Sequence, residues 1–504
     1  MQIPTLDSIK ENLDFSSFIS HYRNRLHDIF QRRVNMDRLS LKRGMPPFLL
    51  KDVMECNPLS VFIPKENNGR GSDTAECLSM LEATAYQSLP LSLMMGINGA
   101  LFLQPVIRYA DPDVKNRVLH RFTEQQAMGG LMITEPDFGS DALRMQTKAE
   151  KEGQYYNVSG EKHWAGLTGW ADYWLITARE SSSSGRLARD ISFFIHDSRE
   201  EGIEVEEYYN NLGLYMLPYG RNKIDISVPE DQRLQPERNG IHMMLDILHR
   251  SRLQFPGMAV GFIRRMMDEA MTHCKERFVG AKELFSYDQV KERLARLQSY
   301  FTVSSAMCAY TTNNTHIDES VADQDLPANA IKTLATDMMH EASQSLLQLT
   351  GAKGYRNEHI AGRSLVDSRP FQIFEGSNDI LYQQISESII KKMRKFSSLN
   401  LYDYLSELPL TQHASDYLKE TLDVTIDPKM AQRKLVDLGK ALSRIISLNF
   451  TIELGHKGFN SQMVDNAIQY LKADIESWLQ TYQQAPQVSV VENRSEEDWQ
   501  NFIG

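Results

Sequence analysis

The sequence predicts a mostly α-helical protein with a β domain in its middle. Apolar residues recur at helical spacing up to about residue 129 and again after Gly240. Between about 130 and 235 the chain turns to β-formers, as in Tyr173 to Ala178 and Ile191 to Ile195. The 504 residues exceed what one core organises, so two to four structural units are expected.

The first unit, 1–129, is helical with loop breaks, the clearest at Asn67 to Gly71. That break holds two glycines of a dinucleotide fingerprint but lacks the third, so it carries no Rossmann expectation. The β domain spans 130–238. Ser181 to Gly185 is a flexible hairpin connection between its first two runs, and Ile224 to Val228 alternates until Pro229 closes it. From 239 to 397 helices return, at Ile241 to Arg252, Val260 to Arg277, Val290 to Tyr310, Leu326 to Thr350 and Ile380 to Met393. Leu326 to Thr350 has Pro327 near its start and Gly351 just past its end. The last unit, 398–504, holds two amphipathic helices. Leu435, Leu438, Leu442, Ile445 and Ile446 mark one, stopped by Gly455; Val464, Ile468, Leu471, Ile475 and Leu479 mark the other. Beyond Gln484 the tail is polar and expected to be mobile.

With 41% hydrophobic and 24% charged residues the balance is that of a globular protein. A formal net charge of -11 argues against a general nucleic-acid binder and a basic membrane-surface protein. Cys56, Cys77, Cys274 and Cys308 are scattered without CxxC spacing, which suits a reducing compartment and no zinc ribbon. The 13 histidines form no metal-ligand spacing, so no metal site is expected. Asp7, Glu11 and Asp14 precede any apolar run, so the start reads as neither secretory signal nor transit peptide. No stretch of about 18 apolar residues suggests a membrane span. A soluble, cytoplasmic protein is the expectation. HExxH, P-loop and GxSxG motifs are absent.

Chemistry concentrates in two stretches. Ile133 to Asp141 contains a Pro-Asp-x-Gly turn closed by Ser140 and Asp141, where Gly139 lets backbone approach a ligand closely. Phe374 to Asp379 places Glu375 among Phe371, Ile373 and Phe374, an apolar setting that would raise a carboxyl pKa into the range of a general base. Gly376 permits a tight backbone there. Taken alone, a Glu-Gly-Ser stretch is commonly a surface turn, and a tryptophan such as Trp164 in a β domain is commonly core.

In order and spacing, these stretches resemble the acyl-CoA dehydrogenase family, as do Ser159 to Trp164, Arg252 with Gly261, Arg277 with Gln289, and Gln348 to Tyr355. The resemblance covers most of residues 55 to 395. It implies an N-terminal helical domain, a middle β-barrel or sandwich and a C-terminal four-helix bundle, here with a C-terminal helical extension. It implies FAD, a homodimer or homotetramer, and α,β-desaturation of an acyl-CoA or acyl-carrier-protein thioester, with an electron-transferring flavoprotein as electron acceptor. By carry-over Glu375 is the base. Ile133, Thr134, Gly139 and Ser140 line the flavin, and Ser140 also meets substrate. Trp164 shields the flavin, while Ser377 and Asp379 follow the base on the FAD side. Ser251, Arg252, Phe374 and Gly376 border the substrate. Arg277 and Gln289 match a pair that reaches the pyrophosphate, where an arginine supplies a charge-assisted contact. Gln348, Gly351 and Ala352 match a helix end that reaches the FAD of a neighbouring subunit.

Departures from the family pattern stand beside these matches. Gly166 takes the place of a threonine that bonds flavin N5, with Thr168 as a substitute if the loop is reshaped. Ser251 stands where some members carry their base, which points the assignment to Glu375. Ala352 replaces a glycine, and Val279 to Leu284 replaces Phe-Gly-x-Pro-Leu. Gly166 motivates an alternative, a flavin oxidase or monooxygenase on the same fold. A binding or scaffold member is a third reading. The extension would serve assembly, membrane docking or carrier-protein docking, or simply bury its apolar faces at home.

Overall fold

A computed structural model describes residues 14–182, 184–396, 398–484, 488–492 and 499–502. Asp7, Glu11 and parts of the tail past Gln484 lie outside the described residues. The principal helices are α1 (Phe15–His27), α2 (Thr74–Gln87), α3 (Pro112–Gln125), α4 (Gly240–Glu276), α5 (Asp288–Asn314), α6 (Asp325–Thr350), α7 (Ile360–Ser368), α8 (Asn378–Phe396), α9 (Gln432–His456) and α10 (Ser461–Gln484).

Between α3 and α4 lie β1 (Gly129–Met132), β2 (Lys148–Glu152), β3 (Tyr155–Gly166), β4 (Tyr173–Glu180), β5 (Ser192–Asp197), β6 (Ile203–Tyr208) and β7 (Tyr219–Pro229). They form one seven-stranded sheet in the order β1-β4-β2-β3-β7-β6, with β5 paired to β4. β4 runs parallel to β1 and β2, and the remaining pairs are antiparallel. In β7 the alternation read from sequence is real: Ile224, Ile226 and Val228 are buried while Lys223, Asp225 and Ser227 face out. Sequence reading passed over β3 and β6, because Glu161, Lys162, Glu204, Glu206 and Glu207 hide their period behind charge.

The bundle corrects one expectation. Ile241 to Arg252 and Val260 to Arg277 are not two helices but a single one, α4, running through Pro256. Its start is fixed by Asn239, whose side chain accepts from the His242 amide at 2.8 Å, and by Asp190, which accepts from Gly240 and Ile241 at 2.9 Å each. A proline inside a helix removes one hydrogen bond. Here every residue from His249 to Ile263 is buried, and that packing outweighs the local defect. A Cβ on Gly261 would lie 2.1 Å from the Glu82 carbonyl oxygen, so α4 and α2 meet backbone against backbone.

Two further expectations change. α9 continues through Gly455 to His456, and the turn comes at Gly458, with φ +91. The run Leu89–Tyr109 is long and apolar enough to cross a membrane by length and composition, although Asn98, Gln104 and Arg108 had masked it in sequence. The share of its apolar window buried inside the fold is 89%, which makes it a core helix. α9 and α10 lay their apolar faces against each other and the bundle, burying Leu438, Leu442, Ile445, Leu471 and Ile475.

Candidate active site

Glu375 sits in a short turn between the 3₁₀ segment Arg369–Gln372 and α8, with φ +53, followed by Gly376 at φ +90. A glutamate in the left-handed region is strained by about 1–2 kcal/mol, so surrounding structure must hold it. Arg252 does so: Nη2 and Nε donate to the Glu375 carbonyl oxygen at 2.7 and 3.0 Å, and Nη1 donates to Asn329 at 2.7 Å. Lys332, fully buried, donates to the Gly376 carbonyl at 2.8 Å and to Asn378 Oδ1 at 2.9 Å.

The carboxylate itself is treated differently. Ser251 Oγ donates to Oε1 at 2.9 Å, and Oε2 is buried with no partner among the described residues. Burial pushes the Glu375 carboxyl above its ordinary range; Arg252, the Ser251 hydroxyl and Lys332 oppose it and lose. Phe371, Phe374 and Phe255 form the apolar wall, with ring centroids 4.9 to 6.1 Å apart. Ile373, expected in that wall, is 57% exposed. Among the described residues the Glu375 amide makes no hydrogen bond.

The second half of the site comes from the sheet. β3 pairs with β7 as far as Gly166, interrupted by a bulge between His163 and Ala165 that leaves Trp164 at φ +53 and 55% exposed. Trp164 is therefore not core. It stands 4.5 Å from the Tyr209 ring and 6.3 Å from that of Tyr219, and Tyr209 Oη pairs with His163 Nδ1 at 2.7 Å. The strand end Ile133 and Thr134 lies beside this wall, since the His163 amide donates to the Thr134 carbonyl at 2.8 Å. Gly139 and Ser140 are exposed, and a Cβ on Gly139 would meet nothing within 4 Å.

Sequence reasoning missed a buried ion pair under this loop. Lys162 Nζ donates to Glu135 at 2.9 Å, to Thr177 at 3.0 Å and to the Ile133 carbonyl at 3.1 Å. Burial pulls Lys162 down to about 8, still protonated at neutral pH. Burial also opposes Glu135, yet Lys162, Gln146 and Thr147 outweigh it and hold that carboxyl below its usual range. Both residues lie inside the quoted segments, but their partnership needs the sheet.

Gly166 pairs with Tyr219 across the strands. A Cβ there would lie 2.6 Å from Ile97 Cδ1 and 3.4 Å from the Tyr219 ring. The space a threonine would need is thus already filled. Thr168 does not substitute: it is fully buried, donates to the Ala165 carbonyl at 2.7 Å and accepts from Asn222 at 3.1 Å. Tyr219, also missed in sequence, faces Glu375, and burial first and that carboxylate second push its phenol up.

The structure separates the remaining residues. Ser377 caps α8, its carbonyl accepting from Leu381 at 3.0 Å, and Asp379 is exposed in the first turn. Arg277, Gln289, Gln348, Gly351 and Ala352 are all exposed and gather at the other end of α4, where His273 touches Leu349 and faces Lys353. A helix advances about 1.5 Å per residue, so Arg252 and the α4 end beside Arg277 stand roughly 36 Å apart. Arg277 and Gln289, expected to reach a flavin pyrophosphate, are set apart from the Glu375 turn by that distance.

Three family models match in register: acyl-CoA dehydrogenase N-terminal domain over 20–126, middle domain over 130–225 and C-terminal domain over 238–390. The chain belongs to the acyl-CoA dehydrogenase family. The rat mitochondrial very long-chain specific acyl-CoA dehydrogenase is 23% identical over 338 residues, 66% of this chain and 51% of that one. The chain thus matches about half the length of that relative. The Bacillus subtilis acyl-CoA dehydrogenase is 23% identical over 350 residues, 68% of this chain and 90% of that one. The structure of an acyl-CoA dehydrogenase complexed with FAD from Bacillus anthracis shares the fold, with TM-score 0.77 and 19% identity, covering 97% of this chain and 91% of that one. That coverage extends over α9 and α10.

Acyl-CoA dehydrogenases are FAD-dependent oxidoreductases. The geometry of this chain fits a flat heteroaromatic cofactor. Trp164 keeps an apolar ring in water on a strained backbone, Gly139 leaves open room beside the strand end, and Glu375 Oε2 lies buried and unpartnered.

Proposed function

We propose that this protein is an FAD-dependent dehydrogenase of acyl thioesters in which Glu375 is the general base. The Glu375 carboxylate carries the reading. Ser251 orients one oxygen, the other lacks any protein donor, and burial makes it a stronger base than an ordinary glutamate. When bound, FAD accepts the hydride leaving the β-carbon.

Glu375 takes the proton from the α-carbon. Its own amide, unused by the protein, is available to the thioester carbonyl and would stabilise charge building on that oxygen. Arg252 and Lys332 hold the turn by its carbonyls, which leaves the carboxylate free to move a proton. Phe255, Phe371 and Phe374 exclude water from the α-carbon. Ile133, Thr134, Gly139 and Ser140 would line the cofactor on one side and Trp164 and Gly166 on the other, with Ser377 and Asp379 near the base. Arg277, Gln289 and the Gln348 to Ala352 helix end would serve the cofactor of a second copy, which makes a homodimer or homotetramer part of the reading. An electron-transferring flavoprotein is the proposed electron acceptor.

Purified protein titrated anaerobically with butyryl-, octanoyl- and palmitoyl-CoA should lose its blue-region flavin band with at least one of them. Glu375→Gln should keep the flavin and slow that bleaching by several orders of magnitude. Unimpaired bleaching in the variant would remove Glu375 from its role. Rapid aerobic turnover with peroxide release would favour the oxidase reading that Gly166 motivates.

A further inference from the structure

We propose that the C-terminal helical unit positions the catalytic turn through Arg444, which faces Tyr382 at the head of a hydrogen-bond chain running Tyr382, Asp337, Asn378, Lys332, Gly376. This rests on the reading of Glu375 as base.

From Tyr382 onward every link is a hydrogen bond. Arg444 of α9 is 4% exposed, pairs with Asp474 of α10, and its guanidinium faces the Tyr382 hydroxyl on α8. Tyr382 Oη donates to Asp337 Oδ2 at 2.6 Å. Asp337 Oδ1 accepts from Asn378 Nδ2 and from Gln372 Nε2, each at 2.7 Å. Asn378 Oδ1 accepts from Lys332 Nζ at 2.9 Å, and Lys332 donates onward to the Gly376 carbonyl at 2.8 Å. The next residue back is Glu375.

The chain is directional because its donors and acceptors cannot be exchanged. Asn378 must turn its amide nitrogen to the Asp337 carboxylate and its oxygen to the Lys332 ammonium; the opposite flip sets like against like at both ends. Fixing Asp337 therefore fixes Asn378, which fixes Lys332, which fixes the turn. Tyr382, Asn378 and Lys332 are each more than nine-tenths buried, which strengthens the bonds they make to the half-buried Asp337 and Gly376. The backbone geometry agrees. A Cβ on Gly439 of α9 would lie 2.0 Å from the Tyr382 carbonyl oxygen, so α9 meets α8 at the residue that starts the chain. Ser386 Oγ donates to the Leu435 carbonyl at 2.6 Å one turn further on. Arg444 touches no reacting atom. It is a positioning residue, and the unit 398–504 is a buttress of the site.

Amide hydrogen exchange of the full-length protein reads the link without any substrate. Arg444→Gln and Tyr382→Phe should raise exchange at the Phe374 and Leu381 amides, which flank the turn and donate to the Pro370 and Ser377 carbonyls, roughly tenfold or more, and Arg444→Lys should restore much of the protection. With whichever of the three acyl-CoA probes bleaches the flavin, kcat should fall roughly tenfold in Tyr382→Phe while KM holds within about twofold. The acid limb of the rate should move, because the turn sets the distance of Glu375 from Arg252, Lys332 and Tyr219, the charged and titratable groups facing it. Unchanged exchange at those two amides, with loosening confined to α9 and α10, would overturn the proposal. Should Arg444→Gln fail to fold, Tyr382→Phe, which removes one hydroxyl and no other volume, decides alone. An inactive Glu375→Gln beside a silent Tyr382→Phe would sink only the positioning role; an active Glu375→Gln would sink the base assignment while leaving the exchange result to stand or fall by itself.

Discussion

Arg252 donates two hydrogen bonds to the backbone carbonyl of Glu375, at 2.7 and 3.0 Å, and none to its carboxylate. The cation thus anchors the turn and lends the side chain only its field. Burial lowers Arg252 to about 10, so it stays charged at working pH.

Arg252→Met should therefore act in two ways. The Glu375 carbonyl loses its donors, and stability should fall by about 2–4 kcal/mol. The carboxyl, already raised by burial, loses an opposing cation and rises further. Because the base works ionised, the acid limb of kcat/KM should move to higher pH. A limb moving to lower pH would contradict this account of the field.

Trp164→Gly tests whether the exposed tryptophan is held for a ligand. Glycine relieves the φ of +53, a gain of about 1 kcal/mol, against a Tyr209 ring contact of about 0.5–1 kcal/mol. The flavin-free protein should melt at the same temperature or slightly higher, while flavin should dissociate more readily. A melting point several degrees lower in the flavin-free protein would mark Trp164 as a packing residue.

Gly166→Thr should not simply restore the family's hydroxyl. Its Cβ would press on Ile97 Cδ1 at 2.6 Å, and overpacking of that kind costs about 1–3 kcal/mol. Adding Ile97→Ala should recover part of the loss in urea unfolding. Additive loss in the double variant would show that Ile97 is not the obstacle.

His249 should contribute to acid unfolding. Its ring is 3% exposed, Nδ1–H donates to the Val321 carbonyl at 3.2 Å, and burial first, Arg252 second, lower it to about 4. The unfolded chain takes up a proton below about 6.5 and the folded one only near 4. Stability from this group is thus complete above pH 6.5 and is lost as pH falls toward 4, by about 3 kcal/mol. In His249→Gln the dependence of stability on pH across that window should flatten; an unchanged slope would exclude His249 as its source.

The order of helices, strands and helices was legible in the sequence because period and β-branching are local properties, and so were Glu375 with its turn and the glycine stop after Thr350. Pro256 was misleading, since a proline defect is local whereas the burial that overrides it comes from α2 and the bundle. Ile373 was misread because apolar character by itself does not reveal which side chains end up exposed. What the sequence by itself determined is the order of the domains and the stretches that resemble the family: a glutamate in an aromatic stretch, a glycine loop, a tryptophan two residues past Lys162. What only the tertiary structure decided is their partnership. Ser251 and Glu375 are 124 residues apart, Lys162 and Glu135 are 27 apart, and Arg277 lies at the opposite end of α4 from Arg252. Those distances follow from how rigid helices cross and strands pair, and hydrogen bonding between buried groups reads that geometry rather than the order of the chain.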